Sequence, residues 1–438
     1  MSIGASTLIS QIKRQYISWL KKGSRWLLGF VIALVIVLSI PLLPVVSQQP
    51  IVLKTLIRAD EAQQLQPLVD KFNQQQPQIQ LEIIEAPSDS NQVEDLYTSS
   101  FLLGNSPFDI VYMDIVWTPK FAAAGWLREL GDRFDDNDAE PYLAGDLAGG
   151  AYQGKLYRLP FRSDAGMLYY RQDLLNQAGH EPPKTFDQLL EISQDLQQQG
   201  LADWGYVWQG KQYEGLAAMF VEILQGSGAF WVNPDTSEVG LDQPEAIAAV
   251  EFLRSALELE VSPPGVTTYA EEETRLLFQN GKTVFLRNWP YVYSLAADSA
   301  IAGQYQIKPM VHAAGQSSGA TLGGWGLGIA SSSKHPDAAW KAIKFLSSEA
   351  SQREFILDTG FLPSRTALFN DPEIVAKFDH YPQLLEVVQN SALRPPIPQY
   401  AQASDILQRY LSAAITGSMT PEQAMEAAAQ ETRNLLKR

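Results

Sequence analysis

Two carboxylates, Asp109 and Asp114, stand in one short apolar segment (FDIVYMD, 108–114), a pairing that a glycosidase could use as acid and base. The segment itself reads as a strand, with Asp109 opening it and Asp114 closing it beside Trp117, so a structural role is the simpler reading. Aromatic residues gather at the ends of other expected elements: Trp117, Trp126, Trp204, Trp208, Trp231, Trp289, Tyr291, Tyr293 and Trp325. A sugar presents an apolar C–H face and a rim of hydroxyls. Flat rings cover the face, while carboxylates and arginine forks bond the rim through charge-assisted hydrogen bonds. Asp114 with Trp117, and Trp289 with Tyr291, bring both kinds of group together locally. Other chemistries lack their residues. The four histidines, His180, His312, His335 and His380, have no zinc-ligand spacing. Gly281-Lys282-Thr283 ends like a phosphate loop, but position 276 is Leu where that loop needs Gly. No GxSxG elbow occurs. Cysteine is absent, which excludes disulfides, thiolate metal sites, a cysteine nucleophile and a lipidated amino-terminal cysteine. No metal or cofactor is expected. Glu271-Glu272-Glu273 reads as a solvated helix start that complements the helix dipole.

Regular elements must hold these groups. Residues 51–57 and 78–85 alternate as strands, 60–75 shows a helical apolar face, 91–103 reads as helix and 108–112 as a third strand. This β–α–β–α–β order predicts parallel strands with functional loops at their carboxyl ends. Further on, 156–160, 166–170, 204–208, 281–286 and 323–330 read as strands. Helices are expected over 185–198 with Thr185 as N-cap, over 213–224, 244–259, 270–279 and 336–346, and over 421–436, where Thr420 caps and Pro421 takes the first position. Strands that reappear at 323–330 after a helical block predict two lobes crossed several times by the chain, a layout that favours a ligand cleft and hinge closure.

The composition is globular, 45% hydrophobic and 19% charged, with a formal net charge of −16. Residues 1–50 hold Lys13, Arg14, Lys21, Lys22 and Arg25 and no acid, so the rest is more acidic still. An acidic body argues against nucleic acid, which needs clustered cations. The basic residues precede an apolar run over 26–46 (WLLGFVIALVIVLSI and beyond), followed by polar Ser47-Gln48-Gln49. That order predicts an export signal with a cut near 45–47, or an uncleaved membrane anchor, since the run approaches the ~20 residues that span a bilayer.

Seven stretches together carry a resemblance: FDIVYMDIVWTPKFAAAGWL (108–127), GKLYRLP (154–160), DAGMLYYRQDLL (164–175), WGYVWQGKQYEGL (204–216), FLRNWPYVY (285–293), TLGGWGLGIA (321–330) and RPPIPQY (394–400). Over roughly 50–438 the chain resembles extracellular solute-binding proteins of ABC sugar importers, of the maltose-binding type and most of all their trehalose/maltose-binding members. The resemblance implies an α/β, type II periplasmic-binding-protein fold: two α/β lobes joined by three hinge crossings, behind an amino-terminal signal or anchor at 1–49. It places lobe 1 at 50–163 plus 329–369 and lobe 2 at 164–328 plus 370–438. It implies that Glu61, Asp114 and Asp164 accept sugar hydroxyls, that Trp289, Tyr291 and Trp325 stack, that Gly323 leaves room for backbone contact and that Arg394 donates, with Trp117 and Trp208 as secondary candidates. Two positions depart from those relatives: Val93 stands where they carry an arginine, and Arg162 where they carry a tyrosine. Arg162 joins the candidate ligand contacts on that ground. The departures leave trehalose, maltose, sucrose and glucosylglycerol all open, and similar proteins of cyanobacteria import such compatible solutes.

The expected role is a non-catalytic, monomeric receptor that works in the periplasm or on the outer face of the inner membrane. Its partners by resemblance are a small sugar and an ABC permease with its ATPase, plus the membrane itself if the amino-terminal helix is retained. Two alternatives compete: a secreted glycoside hydrolase using Asp114 and Asp164, and a receptor for another ligand such as a polyamine or an oligopeptide.

Overall fold

Leu65, Leu68, Val69 and Phe72 recur on one face of helix α1 (Ala59–Gln75), and that face is buried against the parallel strands β1 (Ile51–Arg58) and β2 (Ile79–Ala86). The computed structural model describes residues 13–15, 18–19, 49–104, 106–134 and 136–437. The expected signal or anchor at 26–46 lies outside these residues, and no helix among them is long and apolar enough to cross a membrane.

Helix α2 (Ser90–Leu102) is capped by Asp89, whose side chain accepts from the backbone N–H groups of Asn91 and Gln92. It leads to β3 (Ile110–Asp114). Lys54 of β1 and Asp109, just before β3, exchange two bonds, Asp109 N to Lys54 O (2.9 Å) and Lys54 N to Asp109 Oδ2 (3.3 Å), and one side chain adds to this join. The buried Tyr97 hydroxyl accepts from Leu56 N (3.2 Å) and Tyr112 N (3.1 Å) and donates to Leu56 O (3.0 Å). It satisfies backbone groups on both strands.

Two four-stranded sheets follow. The first has the order β10-β4-β9-β3, formed by β4 (Leu159–Ala165), β9 (Leu322–Ile329) and β10 (Leu362–Pro363) with β3. The second has the order β8-β5-β7-β6, formed by β5 (Met167–Arg171), β6 (Trp204–Val207), β7 (Thr283–Asn288) and β8 (Tyr305–Lys308). The late strand β9 is antiparallel to both of its neighbours, β3 and β4. The parallel order expected from the first strands therefore holds for β1–β2 and not for the whole sheet. The chain returns from the second sheet before entering β9, so it enters from the opposite end.

Strand β4 passes into β5 through Gly166 alone, and a Cβ there would fall 1.8 Å from the Glu222 carboxylate, so this crossing needs glycine. The segment entering β9 pairs with the segment at 392: Leu322 N donates to Ala392 O and Ala392 N to Ala320 O, both at 2.8 Å. Thr185 caps α3 (Phe186–Gln198) by accepting from Gln188 N at 3.2 Å. The last helix spans Pro421–Leu436, with Thr420 and Gln423 forming a capping box.

Candidate functional site

The site is built by the pleat of the first sheet. In register, Gly323 of β9 faces Asp164 of β4, and Trp325 faces Arg162 of β4 and Asp114 of β3. Residues two apart share a face of a strand, so these five positions form one floor. The walls come from elsewhere: Glu61 and Arg58 from the β1–α1 junction, Trp289 and Tyr291 from the turn after β7, and Arg394 from the extended segment after the helix Tyr381–Gln389. Together they line a cleft with about 900 Å³ of free space, part of it open to solvent.

Charges in the floor are paired. The Arg162 guanidinium forks onto Glu61 (Nη2–Oε1 2.6 Å, Nε–Oε2 3.3 Å) and also donates to Asp164 Oδ2. Tyr112 donates to Glu61 Oε2 at 2.6 Å. Burial pushes the Glu61 carboxyl up, but Arg162 and Arg58 outweigh it and hold the group below the usual carboxylate range. Asp164 goes the other way: burial raises it to about 6 despite Arg162, with Glu61 and Asp114 adding repulsion. Its Oδ1 is buried without a hydrogen-bond partner. Arg394 bridges Asp114 (Nη2–Oδ1 3.0 Å) and Glu214 (Nη1–Oε1 2.5 Å), the first residue of α4 (Glu214–Gly226). Glu214 in turn accepts from Tyr400 and from Ser404 Oγ (2.5 Å) in the helix Tyr400–Ile415.

The rings differ in what they offer. Trp289 is half-buried. The Arg287 guanidinium lies 4.2 Å from its ring centroid, and its Nε1 donates to Glu271 at 3.3 Å. Tyr291 packs at 5.2 Å from Phe361 and donates to Glu272 at 3.1 Å. Trp325 is 4% exposed, with Tyr112 tilted against it at 5.0 Å, Arg58 above it at 5.3 Å and Trp117 edge-on at 5.2 Å.

Of the residues expected at the site, Glu61, Asp114, Arg162, Asp164, Trp289, Tyr291, Gly323, Trp325 and Arg394 line this one cleft. Trp117 does not; it is 2% exposed and packs behind Trp325 among Tyr97 and Phe121. Trp208 is fully buried, with its Nε1 on Ser262 Oγ, and Trp231 packs against Tyr400. Val93 is fully buried inside α2. Glu271 and Glu272 correct the reading of a merely solvated helix start. They open α6 (Glu271–Gln279; α5 is Pro244–Glu258) and line the cleft, where they hold Trp289 and Tyr291. Arg58, Glu214 and Phe361 also line it without having been expected. Only Glu214 had a sequence signal, a carboxylate at a helix start. Among the described residues no cluster of His, Asp and Glu could hold a metal ion.

Gly323 lies where a side chain would be crowded. A Cβ there would lie 3.1 Å from Asp164 Cβ and 3.2 Å from Trp289 Cζ3. Gly323→Ala is expected to push the indole out of place and weaken ligand binding about tenfold, or about 1.4 kcal/mol, with little change in melting temperature. Calorimetry beside a thermal melt checks it.

Two α/β sheets that share a ring-and-carboxylate cleft at their crossings define a two-lobe binding protein of the type II periplasmic fold. The model of the bacterial extracellular solute-binding protein family matches residues 58–353, and the chain belongs to that family. A probable ABC transporter-binding protein of Deinococcus radiodurans is 28% identical over 356 residues, covering 79% of this chain and 84% of the relative. A mannitol-binding protein of Pseudomonas aeruginosa is 26% identical over 406 residues, covering 85% and 90%. Among solved structures, maltose-bound MalE3 of T. maritima is 36% identical with a TM-score of 0.84, covering 88% of this chain and all of that one.

Proposed function

We propose that this protein, the solute-binding component of an ABC sugar importer, captures a small sugar in the cleft by stacking it on Trp289 and bonding its hydroxyls to Asp114 and Asp164. The observation that carries this is the pairing of a half-buried indole with the orphaned Asp164 Oδ1 in one cavity. A buried acceptor without a partner is costly, and a sugar hydroxyl satisfies it while the pyranose face covers the ring. Trp325 has its surfaces taken by Tyr112, Arg58 and Trp117, so it only completes the floor, and Trp289 with Tyr291 in the wall is the stacking platform. One platform suits a disaccharide or a glucoside with a short polyol tail: trehalose, maltose, sucrose or glucosylglycerol. The relatives named for maltose and mannitol support this ligand class. Capture leaves the sugar intact for a permease and its ATPase. The amino-terminal basic and apolar segment directs export, as a signal or an anchor, so that the body works outside the inner membrane.

The lobes are best drawn where the strands change sheets: residues 50–165 with 322–391, and 166–321 with 392–437. These boundaries differ from those drawn from sequence because β9 is bonded to β4 over 322–327 and to β3 over 325–329.

A calorimetric panel of those four sugars, with spermidine as control, tests the reading. At least one sugar binds with micromolar affinity, about −8 kcal/mol, and is recovered unchanged; heat only from spermidine, or hydrolysed sugar, overturns it. Binding also follows pH. Asp164 is the better acceptor when ionised and its carboxyl sits at about 6, so affinity rises from pH 5 to pH 7, and Asp164→Asn flattens that rise. Stability has the opposite sign. The folded carboxyl sits above its unfolded value, so its protonated form favours the fold, and that contribution is lost as pH climbs from about 4 to about 6.

A further inference from the structure

The start of α2 meets the start of α4 at the rim of the cleft, and the groups that join them lie beside the ligand site, which Ser90 and Gly215 line. Asp89 spends Oδ1 on capping its own helix, at 3.0 Å from Asn91 N and 3.4 Å from Gln92 N. Its Oδ2 lies 3.4 Å from Lys211 Nζ. The side chain of Asn91 reaches the other way: its Oδ1 accepts from the backbone N–H of Glu214 at 3.2 Å, which caps the first turn of α4. A helix start leaves such N–H groups without an intrahelical partner, so a residue of one lobe completes a helix of the other. Lys211–Asp89 and Asn91–Glu214 join 50–165 to 166–321 at the rim, in addition to the Arg394–Asp114 pair in the cleft, which also joins the two lobes as drawn above. Neither Asn91 nor Lys211 lines the cleft.

Resting on the sugar-capture reading above and on the hinge closure expected of two crossed lobes, we propose that Asn91 and Lys211 are positioning residues for capture: a clasp that holds the lobes together over a bound sugar and so sets how long it stays, without touching it. Both bonds exist only while the two helix starts are in contact. Opening breaks them, and the loss falls on the dissociation rate, where most affinity differences between related complexes arise.

The test uses Asn91→Ala, Lys211→Ala and the double variant, with maltose as probe and intrinsic tryptophan fluorescence in stopped flow. Each single change is expected to raise koff about two- to fivefold and the pair about tenfold, with kon within about twofold of the parent, the range set by an exposed ion pair and a neutral hydrogen bond. The Lys211→Ala effect vanishes in 1 M salt, where the Debye length is about 3 Å. A second readout needs no ligand. Because the chain has no cysteine, spin labels at Gln63→Cys and Glu191→Cys report the distance between α1 and α3 cleanly, and the double variant shifts that distribution to longer distances. An unchanged distance distribution in the double variant overturns the clasp, whatever maltose does. Failure of maltose and the other sugars to bind the parent protein counts against the sugar reading instead.

Discussion

Trp289→Ala is expected to weaken sugar binding at least about a hundredfold, or about 2.8 kcal/mol, while the protein stays folded. The indole is a half-buried large ring that lines the cleft. Arg287 backs it and Glu271 fixes its edge through Nε1, so the bound sugar meets a platform already in place. The ring is half-buried and belongs to the turn after β7, outside the main core, so its removal lowers the melting temperature by only a few degrees. Calorimetry and circular dichroism on one preparation read both effects. Retained affinity removes Trp289 from the site.

Arg162→Leu is expected to cost stability rather than only affinity. The guanidinium is 3% exposed and pairs with Glu61 and Asp164, themselves 1% and 5% exposed. Taking away one partner of a buried pair leaves uncompensated charge and costs about 3–5 kcal/mol. The pH dependence identifies the cause. In the parent, Glu61 is held below its unfolded value, so its contribution is present above that value and is lost on acidification through its folded pKa. Without Arg162, burial dominates and its carboxyl rises, so the defect is largest near pH 7 and shrinks toward pH 5. Glu61→Gln in the same chain recovers part of the loss. Thermal melts of the single and double variants across pH 5–8 measure it, and a defect independent of pH points to lost packing on Phe361, 4.2 Å from the guanidinium, instead of lost charge pairing.

Local pattern made much of this molecule readable. The apolar face of α1 and the Thr185 and Thr420 caps all depend on residues close in sequence, where periodicity and capping act. Strand direction does not, which is why β9 was unreadable as antiparallel: its partners lie more than 150 residues upstream. The four-residue β8 is too short to show a period. The site followed the same division. Trp289 and Tyr291 stand out in a Pro-containing turn after a strand, and Asp114 stands out at a strand end. Trp117 and Trp325 looked alike in sequence, yet burial under Tyr112, Arg58 and each other decides what each can touch. Glu214 is defined by Arg394, Tyr400 and Ser404, between 180 and 190 residues away. Glu271 and Glu272 could not be told from any acidic helix start until Trp289 and Tyr291 were seen to reach them. Resemblance over whole segments carried the remaining residues, Asp164 and Gly323 among them.

The most direct measurement is a crystal structure of the protein with the tightest sugar of the panel. A pyranose is expected to lie with its C–H face on Trp289 and with hydroxyls within hydrogen-bond distance of Asp164 Oδ1 and Asp114. A sugar held elsewhere, for instance in the apolar groove beside Trp231 and Pro395, or one in the cleft that touches neither Trp289 nor Asp164, contradicts it.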